Sequence, residues 1–147
     1  MEDLIDKHSV IGIDTMIFVY KFVRDERYIS VVDTILNALV NNKVRGISSI
    51  VTYLEILSFP PVYNNEILVN QYKEAFRSLD NFKFIHTNND ILEESIYLCA
   101  YYNLKIQDSL EIATAKVSGC SIFITNDKIL KRVNNYIDIA FLEDYIQ

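Results

Sequence analysis

From Ile106 to Asp127 the sequence reads IQDSLEIATAKVSGCSIFITND, a helical stretch running almost directly into a strand. An acid, Asp108, stands at the head of the predicted helix. Small and apolar residues follow at helical spacing (Leu110, Ala113, Ala115, Val117) until Gly119, a natural C-terminal cap. The β-branched run Ser121–Thr125 then predicts a strand, and Asn126 and Asp127 end it. One carboxylate therefore opens a helix and another closes the next strand. In an open parallel sheet, strand C-termini and helix N-termini share the edge where ligands bind. The two acids are expected to face each other there.

The rest of the chain repeats this alternation. Val10–Ile13 predicts a buried first strand ended by Asp14 and Thr15. Asp25–Asn42 carries Tyr28, Val31, Val32, Ile35, Leu36, Leu39 and Val40 in the stripe of an amphipathic helix. A second strand is expected over Val44–Ser48. Ser48 or Ser49 would then cap a helix reaching Leu57, with Ile50, Leu54 and Leu57 as its core stripe, before Phe59-Pro60-Pro61 stops it. A polar helix over Glu66–Leu79, a strand over Phe82–His86 and a helix over Asn89–Asn103 lead into the central stretch. A short basic helix, Lys128–Arg132, and a last strand, Ile137–Phe141, complete the chain. This order points to an α/β layered fold with a mainly parallel sheet. With 147 residues, 3 glycines and 2 prolines, it is expected to form one domain over 1–147 with no flexible linker.

Half the residues are hydrophobic and 23% are charged, which excludes intrinsic disorder. No apolar run is long enough to span a membrane, and MEDLIDKHS lacks the basic-then-apolar pattern of a leader, so a cytoplasmic protein is expected. Cys99 and Cys120 sit among apolar neighbours without the spaced partners of a zinc or redox site, and read as buried thiols. His8 and His86 flank strands without ligand partners and read as ordinary packed or exposed histidines. The net charge of −6 opposes indiscriminate nucleic-acid binding. Any such contact must be local, using a metal ion and a few basic side chains.

Four acids are isolated at the borders of apolar sequence: Asp14, Glu55, Asp108 and Asp127. Each has a competing structural role. Asp14 could cap the Thr15–Val23 segment, Asp127 the basic segment after it, and Asp108 with Glu111 has the spacing of a capping box. Glu55 is hardest to place that way, because it lies on a near-apolar helix and requires a partner or a cation. Three of the four fall at strand ends or helix starts on the same expected edge. Carboxylates gathered without basic neighbours are what Mg²⁺ or Mn²⁺ sites are made of, since hard cations prefer oxygen ligands. Such an ion suits phosphodiester cleavage. Haloacid dehalogenase-like phosphatases need a second Asp where Met16 stands, and phosphoreceiver domains need an acceptor Asp where Ser48 and His86 stand.

IGIDT with Asp14, SSIVTYLEIL with Glu55, and QDSLEIATAKVSGCSIFITND with Asp108 and Asp127 resemble the PIN-domain ribonucleases, the VapC-like toxins of type II toxin–antitoxin pairs above all. The resemblance implies a PIN-like three-layer α/β/α fold with a central, mainly parallel sheet of four to five strands. It further implies a metal-dependent endoribonuclease acting on RNA, a homodimer, and a small cognate antitoxin as partner. Carried over residue by residue, Asp14 and Asp108 would be the principal metal ligands, and Glu55 and Asp127 the remaining members of the catalytic quartet, with Asp127 also on the metal. Thr125 falls where the family often places a hydroxyl; Thr15, Thr125 and Lys128 are the expected substrate contacts. Lys128, Lys131 and Arg132 form a basic cluster next to Asp127. Glu111 departs from the family pattern and is expected to face solvent. Tyr97, Tyr101 and Tyr102 share a helix that could serve a dimer face. The alternative is a catalytically inactive PIN-like scaffold or binding module in RNA processing.

Overall fold

In the computed structural model, which describes residues 1–146, a turn of helix α1 (Glu2–Ile5) leads into β1 (Val10–Ile13), α2 (Thr15–Val23) and α3 (Ile29–Val40). β2 (Arg45–Ser49), α4 (Ile50–Ser58), the short α5 (Pro60–Tyr63) and α6 (Glu66–Arg77) follow, then β3 (Phe82–Ile85). The hairpin of α7 (Asn89–Tyr102) and α8 (Ile106–Val117) precedes β4 (Ile122–Thr125), a 3₁₀ turn over Lys128–Val133, β5 (Asp138–Phe141) and a final 3₁₀ turn over Leu142–Tyr145. Asp25–Tyr28, expected to be helical, form the turn before α3, and the expected basic helix is 3₁₀.

The strands lie in the order β3-β2-β1-β4-β5 and every pairing is parallel. The chain adds strands on one side of β1 up to β3 and then crosses to the other side for β4. Strand order thus reverses between β1 and β4, and a parallel sheet opens its crevice at such a reversal, beyond the strand C-termini.

Helices cover both faces. One core gathers Ile13, Ile17, Phe18, Val32, Ile35 and Leu39, extended by edge-to-face rings at Phe18, Phe76, Phe82 and Phe84. The other packs α7 and α8 on the opposite face through Ile91, Leu98, Ile112, Ala113 and Phe123. Gly12 explains how close α8 comes to the sheet: a Cβ there would stand 2.5 Å from Phe123 Cδ2 and 2.9 Å from the Ala115 Cβ. Gly119, at φ +79°, takes the left-handed turn that ends α8. Both cysteines are free, Cys120 buried and Cys99 partly so. Among the described residues no helix is long and apolar enough to cross a membrane.

One helix is turned differently from its sequence reading. Leu54 is 64% exposed, whereas Thr52 is fully buried and Ile56 nearly so. Ser49, not Ser48, caps α4, accepting from the Val51 N–H. The inward face of α4 then carries Thr52 because α8 supplies its hydroxyl with a partner, which side-chain periodicity alone does not reveal.

Candidate active site

Asp14 follows the last residue of β1 and occupies the N-cap position of α2, but its side chain makes no cap bond. It is 6% exposed and accepts instead from the Thr125 hydroxyl at the end of β4. Thr125 Oγ1 in turn accepts from the Asp127 N–H at 2.9 Å, so a single hydroxyl joins the acids after the two central strands. The Asp14 N–H donates to the Ile124 carbonyl at 3.0 Å, fixing the same two strand ends through the backbone. Asp127 does serve as a cap: its carboxylate accepts from the Ile129 N–H at 2.9 Å. Capping leaves its second oxygen unassigned, so the two roles are compatible.

Asp108 lies in the first turn of α8, half-buried, with Lys105 at the N-cap making no side-chain cap bond. The competing role for Asp108 and Glu111, a capping box, is therefore not realised. Glu111, expected to face solvent, is only 5% exposed. One turn along α8 from Asp108, it points into the space between α2 and α4. There it accepts from the hydroxyls of Thr15 at 2.8 Å and Thr52 at 3.1 Å. Thr15 also reaches the Glu55 carboxylate and, at 3.0 Å, the Thr52 hydroxyl. Residues from α2, α4 and α8 thus close one hydrogen-bonded knot beneath the site.

The electrostatics follow from burial and like charge. Burial pushes Asp14 up to about 6; the Thr125 hydroxyl and Thr15 amide pull it down, and Glu55 and Asp127 push it further up. Glu111 is raised well above the ordinary carboxylate range, chiefly by burial and then by the charges of Asp14 and Glu55. Glu55 is raised by burial, with the Thr15 bond opposing and Asp108 adding to the shift. Asp108 is raised by burial and by Asp127, with Lys105 pulling against both. Glu111 is more enclosed than the half-buried Glu55. Proton counting agrees: the hydroxyls of Thr15 and Thr52 supply two protons for four contacts, and a protonated Glu111 supplies a third. Among the described residues no buried side-chain oxygen or nitrogen lacks a partner.

The donor set is all oxygen and suits a hard cation. Among the described residues no three His, Cys, Asp or Glu side chains are gathered closely enough to enclose an ion. Mg²⁺ does not require such a cage, because it keeps several waters and is held by one or two carboxylates. Asp14, Asp108 and Asp127 are the residues that could hold it, Asp127 being felt electrostatically by both of the others.

Two of the three bases in the basic cluster are already engaged. Lys128 pairs with Glu143 at 2.6 Å and lies over the Phe141 ring, and Arg132 donates to the Asn103 carbonyl at 3.1 Å. Tyr97 and Tyr101 are exposed on α7, while Tyr102 turns partly inward toward the Tyr136 ring. Thr52 and Glu111 escaped the sequence reading. Their only signal was position, one turn before Glu55 and one turn after Asp108.

The PIN domain family model matches residues 11–136. No curated protein matches the chain. Among solved structures, a toxin–antitoxin complex from Klebsiella pneumoniae contains a chain 22% identical, with a TM-score of 0.61 over 91% of this chain and 97% of that one. VapBC2 from Rickettsia felis, bound to a DNA fragment from its promoter, contains one 14% identical, with a TM-score of 0.66 over 90% of this chain and 98% of that one. At these identities the likeness is one of fold, and it agrees with the all-parallel five-stranded sheet. The match over residues 11–136 decides the family: the chain belongs to the PIN domain family.

Proposed function

We propose that this protein is a metal-dependent endoribonuclease, the toxin of a toxin–antitoxin pair. The observation that carries the proposal is the hydrogen-bonded link from Asp14 through Thr125 to Asp127, with Glu55 and Asp108 within reach of their charge, at the crevice where strand order reverses between β1 and β4. Burial first and like charge second raise the pKa values of Asp14, Glu55 and Asp108 there, and acids perturbed in this way cluster at functional sites. Asp14, Asp108 and Asp127 would hold Mg²⁺ or Mn²⁺. The ion, when bound, activates a water and stabilises the charge developing on phosphorus. Thr125 fixes the rotamer of Asp14, and the Asp127 amide fixes Thr125. Glu55 stands beside the cluster, oriented by Thr15, where a carboxylate can accept a proton from the attacking water. Thr15 and Lys128 are the proposed substrate contacts, Lys128 exchanging Glu143 for a phosphate; Thr125, expected from sequence to touch substrate, is instead fully buried against Asp14 and positions it.

The toxin assignment draws on both structural neighbours, which are toxin–antitoxin complexes. It makes a small antitoxin the natural partner, a homodimer the assembly and the cytoplasm the compartment. The test is cleavage of a single-stranded RNA by the purified chain with Mg²⁺ or Mn²⁺, compared with Asp14→Asn and Asp108→Asn. We expect metal-dependent internal cleavage lost in both variants without loss of fold. Near wild-type turnover in either folded variant would falsify the site, and no cleavage of any RNA would leave the inactive scaffold as the reading.

A further inference from the structure

We infer that the opposite edge of the sheet, where the strands begin, is a second site that holds the phosphate backbone of single-stranded RNA away from the acids. The inference rests on the ribonuclease reading for the identity of its ligand. Two adjoining concavities of about 280 and 360 Å³ open there, sharing Arg45 and Asn81 as lining residues. Lys7, Lys43, Arg45 and Lys83 line them, and Asp6 is the only acid that does.

The local sign is opposite to that of the chain. Taking these four bases and one acid from the 14 and 20 of the whole chain leaves 10 bases against 19 acids elsewhere. The groove is thus +3 on a remainder of −9. All four basic side chains are exposed, and among the described residues none is in an ion pair; the pairs that form use Lys21, Arg27, Arg77 and Lys128. Four neighbouring cations without carboxylate partners repel one another, and an anion relieves that repulsion.

The rim is built rather than frayed. Asn81 donates to the Leu39 carbonyl at 2.8 Å and to the Asn42 side chain at 2.6 Å, tying the loop that carries Lys43 to the start of β3. Arg45 begins β2, and Lys83 pairs in register with Ile47 on the neighbouring strand, so strand pairing fixes the spacing of the two charges. A groove of that kind tracks a polyanion, because each neutralised phosphate releases bound counterions. A lysine on an edge strand also guards against edge-to-edge pairing, but that role leaves Lys7, Lys43 and Arg45 without an explanation.

The test measures binding, not cleavage. The full chain carrying Asp14→Asn is titrated in EDTA against a fluorescein-labelled single-stranded RNA at 50 and 200 mM salt, with and without Lys43→Gln, Arg45→Gln and Lys83→Gln together. Each single-strand phosphate contact contributes about 0.7 to the slope of log affinity against log salt, so losing three should lower the slope by about 2. Between those two salts that is a difference of about 18-fold. A control with Lys21→Gln, Lys73→Gln and Arg77→Gln removes equal charge elsewhere and should keep the wild-type slope. Melting temperatures verify that both triple variants are folded. An unchanged slope in the groove variant, or the same drop in the control, overturns the inference. Tighter binding of duplex DNA than of RNA, lost in the groove variant, overturns the assignment to RNA. Neither result bears on whether the acids cleave RNA, and absence of cleavage with a groove-dependent slope would sink the ribonuclease reading alone.

Discussion

The Thr15 hydroxyl lies 2.8 Å from the Glu111 carboxylate, although the two residues are 96 positions apart. Thr15 begins α2 directly after Asp14, and Glu111 stands one turn after Asp108 on α8. Their contact therefore joins the two helices whose first turns lie at Asp14 and Asp108, the proposed metal ligands. Glu111 works through others: it touches Thr15 and Thr52, and Thr15 orients Glu55.

Glu111→Gln should keep stability within about 1 kcal/mol, because an amide reproduces the shape of the protonated acid and likewise offers one accepting oxygen beside one donating group. Glu111→Ala should cost about 2–3 kcal/mol, leaving a cavity and the buried Thr52 hydroxyl without an acceptor. Urea unfolding of both variants checks this. Equal losses in the two would show that Glu111 must be ionised in the folded protein.

Gly12→Ala should destabilise by about 1–3 kcal/mol, because the new methyl meets the fully buried Phe123 ring and the Ala115 Cβ, neither of which can swing away. Phe123→Leu in the same chain should recover part of that loss by vacating the ring edge. The measurement is a double-mutant cycle in denaturant. Strictly additive losses would mean that a neighbour other than Phe123 requires glycine at position 12.

The sheet was legible because its strands are buried on both faces and read as short continuous apolar runs, VIGI and IFIT above all. Asp14, Asp108 and Asp127 were legible for a related reason: a charge at the border of such a run has few structural uses. Thr52 and Glu111 were not. A threonine on a helix reads as solvent-facing, and a glutamate one turn after an aspartate reads as half of a capping box. Each is buried with partners far away in sequence: Thr52 and Glu111, 59 residues apart, bond each other, and Thr15 bonds both. Leu54 was misread as core for the same reason, since burial of Thr52 turns α4 and carries Leu54 out to 64% exposure. The identity of the last strands' order around β1 likewise depends on pairings that no local pattern records.

Divalent metal should stabilise the folded chain. An ion that binds only the folded state adds about 2.7 kcal/mol when its concentration is 100 times its dissociation constant. Mg²⁺ or Mn²⁺ should therefore raise the melting temperature at pH 8, and Asp14→Asn or Asp108→Asn should abolish the rise. A metal response that persists in both variants would place the cation elsewhere, while no response in the wild type would mean that the acids do not hold one.

The metal-free protein should also be more stable in mild acid than above neutrality. Asp14 has an ordinary value near 3.8 and is raised in the fold to about 6, chiefly by burial. Below pH 3.8 both folded and unfolded states keep the proton, and Asp14 imposes no penalty. Between roughly pH 4 and pH 6 the unfolded state releases it while the folded state holds it, so rising pH favours unfolding. Above pH 6 both are ionised and the loss is complete, about 3 kcal/mol for a shift of about two units at 1.36 kcal/mol each. Glu111, Glu55 and Asp108 are shifted in the same direction and steepen the decline. Melting temperatures in EDTA should fall across that window, and Asp14→Asn should flatten the curve and be the more stable protein at pH 8. Replacement of a cap would do the opposite, lowering stability at every pH. A flat wild-type profile together with a less stable Asp14→Asn would show that Asp14 holds the fold rather than a site.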